Sequence, residues 1–201
     1  MCNIICVTNR RLCEDFPAQL RKVAEAKPKA VILREKDLSP KEYRSLAETV
    51  MRICGENGVP CVLHSFADIA AELGAEAIHL PLHILRTLPD NMKRRFRTIG
   101  VSCHSVEDAL EAQKQGASYI TAGHVFATDC KRGLPPRGLD FLREVCSAVD
   151  VPVYAIGGIS PDNYGSVRSA GASGACVMSG LMTCPAPKNY LDSFREESDV
   201  K

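Results

Sequence analysis

The chain has 201 residues, 45% apolar and 24% charged, enough for one domain with a real core. Its 25 basic and 24 acidic side chains leave a formal net charge of +1, which argues against a nucleic-acid coat or a binder of acidic membranes. No apolar run approaches the roughly 20 residues that span a bilayer, and the start MCNIICVTNRRLCEDF lacks the basic-then-apolar order of a signal peptide, so a cytoplasmic protein is expected.

From the N-terminus, short β-rich runs alternate with helical patterns. NIICVT (3–8) and AVILRE (30–35) read as the first two strands. Ser39-Pro40-Lys41-Glu42 then opens a helix with a cap, a proline at the first helical position and a carboxylate that reaches back. PCVLH (60–64) and AIHLP (77–81) follow as strands three and four. Between Leu80 and Arg97 the helical pattern is weak. RTIGVS (97–102) precedes a second cap, Ser105-Val106-Glu107-Asp108, with an acidic first turn. YITAGH (119–124) and VPVYAIGG (151–158) are strands six and seven. Ser160-Pro161-Asp162 opens the next helix, and GACVMSG (174–180) is the last strand. Gly116 and Gly171 mark helix ends.

The strands are nearly continuous apolar runs, as parallel strands covered by helices on the outside must be. Eight such units at about 25 residues each predict a single compact (β/α)8 TIM barrel, residues 1–201 forming one domain, with a doubly wound open sheet as the alternative. Ten cysteines occur without any CxxC pair, several inside apolar strands, and read as small core residues rather than as zinc ligands or a disulfide framework.

In a barrel, functional residues collect where strands end. Gly157-Gly158 and Ser179-Gly180 stand after strands seven and eight, where backbone N–H groups close to an anion make a phosphate site. His124 ends strand six and is followed by a basic loop carrying Thr128, Lys131, Arg132 and Arg137. An unperturbed imidazole suits proton exchange at neutral pH, although a lone strand-end histidine is also a common structural hydrogen-bonder. Arg34 and Lys36 follow strand two, and Ser102 ends strand five. His64, His83 and His104 show no metal-ligand spacing, so no metal is expected from the residues themselves.

LREKDLS (33–39), ADIAAELGAEAIHL (67–80), GVSCHSVEDA (100–109), ASYITAGHVFATDCKRG (117–133), VPVYAIGGISPDN (151–163) and the run through VMSG (170–180) together resemble the thiamine-phosphate-synthase/TenI superfamily. The similarity runs from about Ile4 to Met182. The resemblance implies a small-molecule thiazole phosphate as ligand and is compatible with a homo-oligomer; it implies neither nucleic acid nor membrane as a partner. Within the superfamily, the synthase joins a pyrimidine pyrophosphate to a thiazole phosphate and holds Mg²⁺ on aspartates after strands three and four. Here those segments read Leu63-His64-Ser65-Phe66 and His79-Leu80-Pro81-Leu82-His83-Ile84, and the glutamine of the family's Q-L-R-E-K is Ile32. The G-H-V-F segment resembles the TenI branch instead, where the histidine is the acid/base.

The first expectation is therefore a thiazole tautomerase, a metal-free and cofactor-free isomerase. His124 would move the proton, and Gly157, Gly158, Ser179 and Gly180 would anchor the phosphate. Thr128, Lys131, Arg34, Lys36 and Ser102 would contact the anionic groups. The second is thiamine phosphate synthase, which alone would need Mg²⁺. The third is a non-catalytic phosphate-ligand binder or regulator.

Overall fold

The structure is a computed structural model that describes residues 3–131 and 133–194. Arg132 and Cys2, both noted in the sequence, lie outside the described residues. Eight parallel strands follow one another in chain order and close into a barrel, which is the (β/α)8 architecture expected from the alternation of apolar runs and capped helices. The open-sheet alternative does not hold. No helix among the described residues is long and apolar enough to cross a membrane. The described residues form two compact units, one of residues 3–78 with 177–194 and one within residues 79–176.

The first unit holds β1 (Ile4–Val7), β2 (Ala30–Leu33) and β3 (Cys61–His64). Val31 stands opposite Cys6 on one side and Cys61 on the other. β1 and β2 are buried along their whole length, which explains why their sequences do not alternate. α1 (Phe16–Glu25), α2 (Pro40–Glu56) and the short α3 (Ala67–Glu72) follow β1, β2 and β3 in turn, with α2 packed on β2 and β3 and α3 on β3. Ser39 caps α2 in the expected way, and Glu42 accepts from the Ser39 N–H at 2.9 Å.

Tyr43, fully buried on α2, ties this unit together. Its hydroxyl donates to the Leu33 carbonyl at 2.9 Å and accepts from the His64 N–H at 2.8 Å, joining the ends of β2 and β3. Its ring stacks on Phe66, with centroids 4.2 Å apart. Tyr43→Phe keeps the ring and leaves a buried N–H and C=O without that partner, so a loss of about 2 kcal/mol is expected in urea denaturation. A loss below ~0.5 kcal/mol would show that the hydroxyl is dispensable.

The second unit contains most of β4 (Ala77–Pro81), then β5 (Thr98–Cys103), β6 (Tyr119–Gly123), β7 (Val153–Ile156) and all but the last residue of β8 (Gly174–Val177). Ser102 pairs with Thr121, and Thr121 with Tyr154. The weakly patterned stretch after β4 forms two short helices, α4 (Leu82–Thr87) and α5 (Asp90–Lys93). Pro89 is the reason. It forces Leu88 out of helical geometry, to ψ 122, and one helix becomes two. α6 (Val106–Lys114) and α8 (Pro161–Ser169) each stop two residues before Gly116 and Gly171, as predicted. α7 (Gly138–Ala148) lies between them in sequence. In the first unit, α9 (Ser179–Met182) and α10 (Pro187–Asp192) follow β8.

Cys6, Cys13, Cys54, Cys61, Cys103, Cys146, Cys176 and Cys184 are free thiols. Burial pushes the Cys103 thiol up to about 12 and the Cys146 thiol to about 11, so neither is a thiolate at neutral pH. This is the behaviour of core residues, as the absence of CxxC pairs suggested.

Candidate functional site

In the first unit, the end of β2 carries Arg34-Glu35-Lys36-Asp37. Glu35, not a candidate from sequence, is the buried member. It accepts from the Thr8 hydroxyl at 2.8 Å, the Arg10 N–H at 2.9 Å and the Arg10 guanidinium at 3.1 Å. The same guanidinium grips Asp37 with two bonds of 2.7 and 2.6 Å, and Arg11 adds a third at 2.7 Å. The Arg10 hydrogen bonds hold the exposed Asp37 carboxyl well below the usual carboxylate range. Its folded pKa is depressed, so this contribution to stability is present above the ordinary carboxylate range and is lost as the pH falls below it.

Two cations and two anions thus neutralise one another in this cluster, and Arg34 lies outside it. Its main-chain N–H donates to the Thr8 hydroxyl at 3.0 Å, while its half-buried guanidinium forms no ion pair among the described residues. Lys36 is exposed, and Ile32, at the family's glutamine position, is buried in β2. Ser179 begins α9 directly after β8. Gly180 has a packing reason of its own, because a Cβ there would overlap the Tyr190 hydroxyl and sit 2.6 Å from its ring carbon Cζ.

In the second unit, His124 is 9% exposed and follows a cis peptide bond after Gly123. Its Nε2 lies 3.4 Å from the Leu134 carbonyl, and a carbonyl only accepts, so that nitrogen is the protonated one. The His124 carbonyl accepts from the Arg137 N–H at 3.0 Å, and the Val125 carbonyl from the Gly138 N–H at 3.0 Å. The histidine therefore ties together both ends of the loop that carries Thr128 and Lys131. Thr128 is half-buried; Lys131 is exposed in a short 3-10 turn, Asp129–Lys131.

Gly157 and Gly158 pack against that same loop. Both have positive φ, 99° and 67°. A Cβ on Gly157 would overlap the His124 Cβ and sit 2.8 Å from its Cα, and one on Gly158 would sit 2.8 Å from the Phe126 Cβ. The Phe126 N–H donates to the Gly157 carbonyl at 3.0 Å. Thus the glycine pair is required by the close approach of residues 124–127, a reason the sequence did not show. His104, beyond β5, donates from Nδ1 to the Gly123 carbonyl at 2.8 Å.

Ser102 belongs to a polar group that the sequence scattered over three strands. The buried His79 on β4 places Nε2 2.8 Å from the Ser102 Oγ and Nδ1 3.0 Å from the Tyr119 hydroxyl. The Thr121 hydroxyl lies 3.4 Å from both His79 Nε2 and Ser102 Oγ. The signal for this group was four polar residues inside otherwise apolar strands, with a glycine, Gly100, between them.

The Mg²⁺ implied by the resemblance can be tested against these side chains. No group of three or more His, Cys, Asp or Glu that could hold a metal ion occurs among the described residues. The end of β3 offers His64, bonded through Nδ1 to the Ser65 hydroxyl at 2.7 Å, and the end of β4 offers Pro81. Glu35, the buried carboxylate, is engaged by Thr8 and Arg10. Mg²⁺ needs hard oxygen ligands, and the residues present do not fit it. Calorimetric titration of Mg²⁺ into the ligand-free protein is expected to show no saturable binding below about 1 mM; a micromolar site would contradict this reading.

Comparison with known proteins adds what geometry alone does not. The family described as TMP-TENI, thiamine monophosphate synthase, matches residues 4–181. A thiamine-phosphate synthase from Syntrophomonas wolfei is 35% identical over 88% of this chain and 86% of its own. One from Pyrococcus abyssi is 33% identical over 94% and 91%. The solved structure of a thiamine phosphate pyrophosphorylase from Pyrococcus furiosus superposes with a TM-score of 0.83 at 29% identity, covering 96% of this chain and 94% of that one. These findings overturn the expected thiazole tautomerase. Relatives at this identity, along nearly the full length, carry the synthase name, and they outweigh the G-H-V-F segment and the missing carboxylates after β3 and β4 on which the isomerase reading rests. The structure gives the His124 ring another partner, since its Nε2 lies 3.4 Å from the Leu134 carbonyl across the following loop.

Proposed function

The chain belongs to the thiamine monophosphate synthase family, and on that premise we propose that it is a thiamine-phosphate synthase, a transferase that joins a pyrimidine pyrophosphate to a thiazole phosphate. The observation that carries the reading is identity of 33–35% to synthases over about nine-tenths of both chains. In such a reaction the bond from the pyrimidine's methylene carbon to pyrophosphate breaks, and its electron pair leaves with the pyrophosphate. The thiazole nitrogen supplies the pair for the new bond. Both substrates and the leaving group are anionic, so preorganised cations and amide dipoles carry the catalysis.

Arg34 and Lys36 are the cations assigned to pyrophosphate in the first unit, where Arg10 removes the competing charge of Glu35. Lys131, Thr128 and the Ser102 hydroxyl are assigned to anionic oxygens in the second. The Gly157-Gly158 turn and the Ser179-Gly180 turn are each assigned to phosphate through main-chain N–H groups. His124 acts by placing the loop that carries Thr128 and Lys131. No protein side chain is assigned to a metal.

Purified protein given both substrates and Mg²⁺ is expected to form thiamine phosphate, scored by its conversion to fluorescent thiochrome phosphate. No product from a folded protein that binds both substrates would reject the synthase. That outcome would favour the second reading, a non-catalytic phosphate-ligand binder, for which the missing metal carboxylates are the specific observation.

A further inference from the structure

We propose that His79 is a positioning residue: with Tyr119 behind it, it fixes the Ser102 hydroxyl as a hydrogen-bond donor toward an anionic oxygen of the substrate. The inference rests on the reading of Ser102 as an anion contact, and its first test does not depend on turnover.

A neutral imidazole has one donor and one acceptor nitrogen, and the His79 ring is buried with a hydroxyl at each nitrogen. The Tyr119 hydroxyl meets His79 Nδ1 at 3.0 Å. Burial holds the Tyr119 phenol well above its ordinary range, so the phenol keeps its hydrogen. Among the described residues that hydrogen has one polar acceptor, Nδ1. It follows that Nδ1 accepts and Nε2 carries the ring proton. Nε2–H then donates to the Ser102 Oγ at 2.8 Å. The Thr121 hydroxyl is positioned to donate to the same oxygen at 3.4 Å. Both acceptor sites of Ser102 are therefore addressed from within the protein, and its own hydrogen is left to point elsewhere. Ser102 is half-buried where His79, Tyr119 and Thr121 are buried, so it is the open end of the chain. A hydroxyl with its lone pairs occupied and its hydrogen free favours an acceptor, such as a phosphate oxygen, and disfavours a donor.

Gly100 supports the chain independently. It lies on β5 between the strands that carry Tyr119 and His79. A Cβ there would overlap the Tyr119 ring and hydroxyl and sit 2.5 Å from His79 Nδ1. The glycine leaves the space through which the Tyr119–His79 bond passes.

Two measurements test the proposal. Long-range ¹H–¹⁵N correlation spectra of the wild-type protein at neutral pH are expected to show His79 neutral, with Nε2 protonated and Nδ1 bare. A proton on Nδ1, or on both nitrogens, would overturn it. Affinity for inorganic pyrophosphate, read by calorimetry, is expected to fall about tenfold in Tyr119→Phe, because the ring proton is no longer directed to Nε2 and Ser102 is free to turn its hydrogen inward. In a Ser102→Ala background the same change is expected to cost less than about twofold. An equal loss in both backgrounds would mean that Tyr119 and His79 only support the fold, and the proposal would fall. Both results as expected, with no thiamine phosphate formed, would reject the synthase reading alone.

Discussion

Gly157→Ala is expected to lower the unfolding free energy by about 4 kcal/mol, the sum of a left-handed backbone forced on a residue with a Cβ and an overlap that must be relieved. The backbone at Gly157 has φ 99°, a conformation that alanine rarely adopts. Its Cβ would meet the His124 Cβ and come within 2.8 Å of the His124 Cα, both close to the main chain and unable to swing aside. Relief requires residues 124–126 to move, and those residues accept from the Arg137 N–H, accept from the Gly138 N–H and donate to the Gly157 carbonyl. For a chain of this size the loss corresponds to a Tm about 8–16 °C lower in differential scanning calorimetry. Gly55→Ala is the control, since a Cβ there meets nothing within 4 Å. A Gly157→Ala protein with unchanged Tm would show that the turn relaxes freely, and the packing account of this glycine would be wrong.

Arg34→Ala is expected to reduce kcat/KM for thiamine phosphate formation by about 10- to 150-fold, the equivalent of one charge-assisted hydrogen bond of 1.5–3 kcal/mol to an anionic substrate. The size follows from local charge. Glu35 and Asp37 flank the site in sequence and would cancel a nearby cation, but Arg10 and Arg11 already bind them at 2.6–3.1 Å. The guanidinium of Arg34 keeps its full charge for a ligand. Arg34→Lys is expected to recover only part of the loss, because an ammonium cannot reproduce a bidentate contact with phosphate oxygens. Arg11→Ala is the control. That side chain is 70% exposed and shares Asp37 with Arg10, so less than a twofold change is expected. Activity of Arg34→Ala equal to that of the parent would remove Arg34 from the site.

Much of the fold was legible because eight short apolar runs alternate with capped helical patterns. IICV and AVIL are buried at every position, the pattern of parallel strands covered on both faces. The caps at Ser39 and Ser105 were legible for a similar reason, since each bond spans three residues. The split of one helix at Pro89 was less legible, although the proline was visible, because a weak apolar pattern hid where the first helix stopped. The site was harder. Glu35 looked like one charge among four, and its burial depends on Thr8 and Arg10, 27 and 25 residues away. The Tyr119–His79–Ser102 chain joins three strands, a relation that periodicity does not encode. Gly157 and Gly158 were read as a phosphate turn from their position after β7, and the structure adds the approach of His124 and Phe126. The isomerase expectation drew on His124 and on the missing carboxylates after β3 and β4, and neither distinguishes the two activities by itself. A strand-end histidine serves a loop as readily as a proton transfer, and similarity along the whole chain carried more weight than that position.

The most direct measurement is a single-turnover experiment in which enzyme in excess meets a pyrimidine pyrophosphate and a thiazole phosphate, with both products quantified over time. Thiamine phosphate and pyrophosphate are expected to appear together in equal amounts. Pyrophosphate released without thiamine phosphate, or neither product from protein shown to bind both substrates, would contradict it.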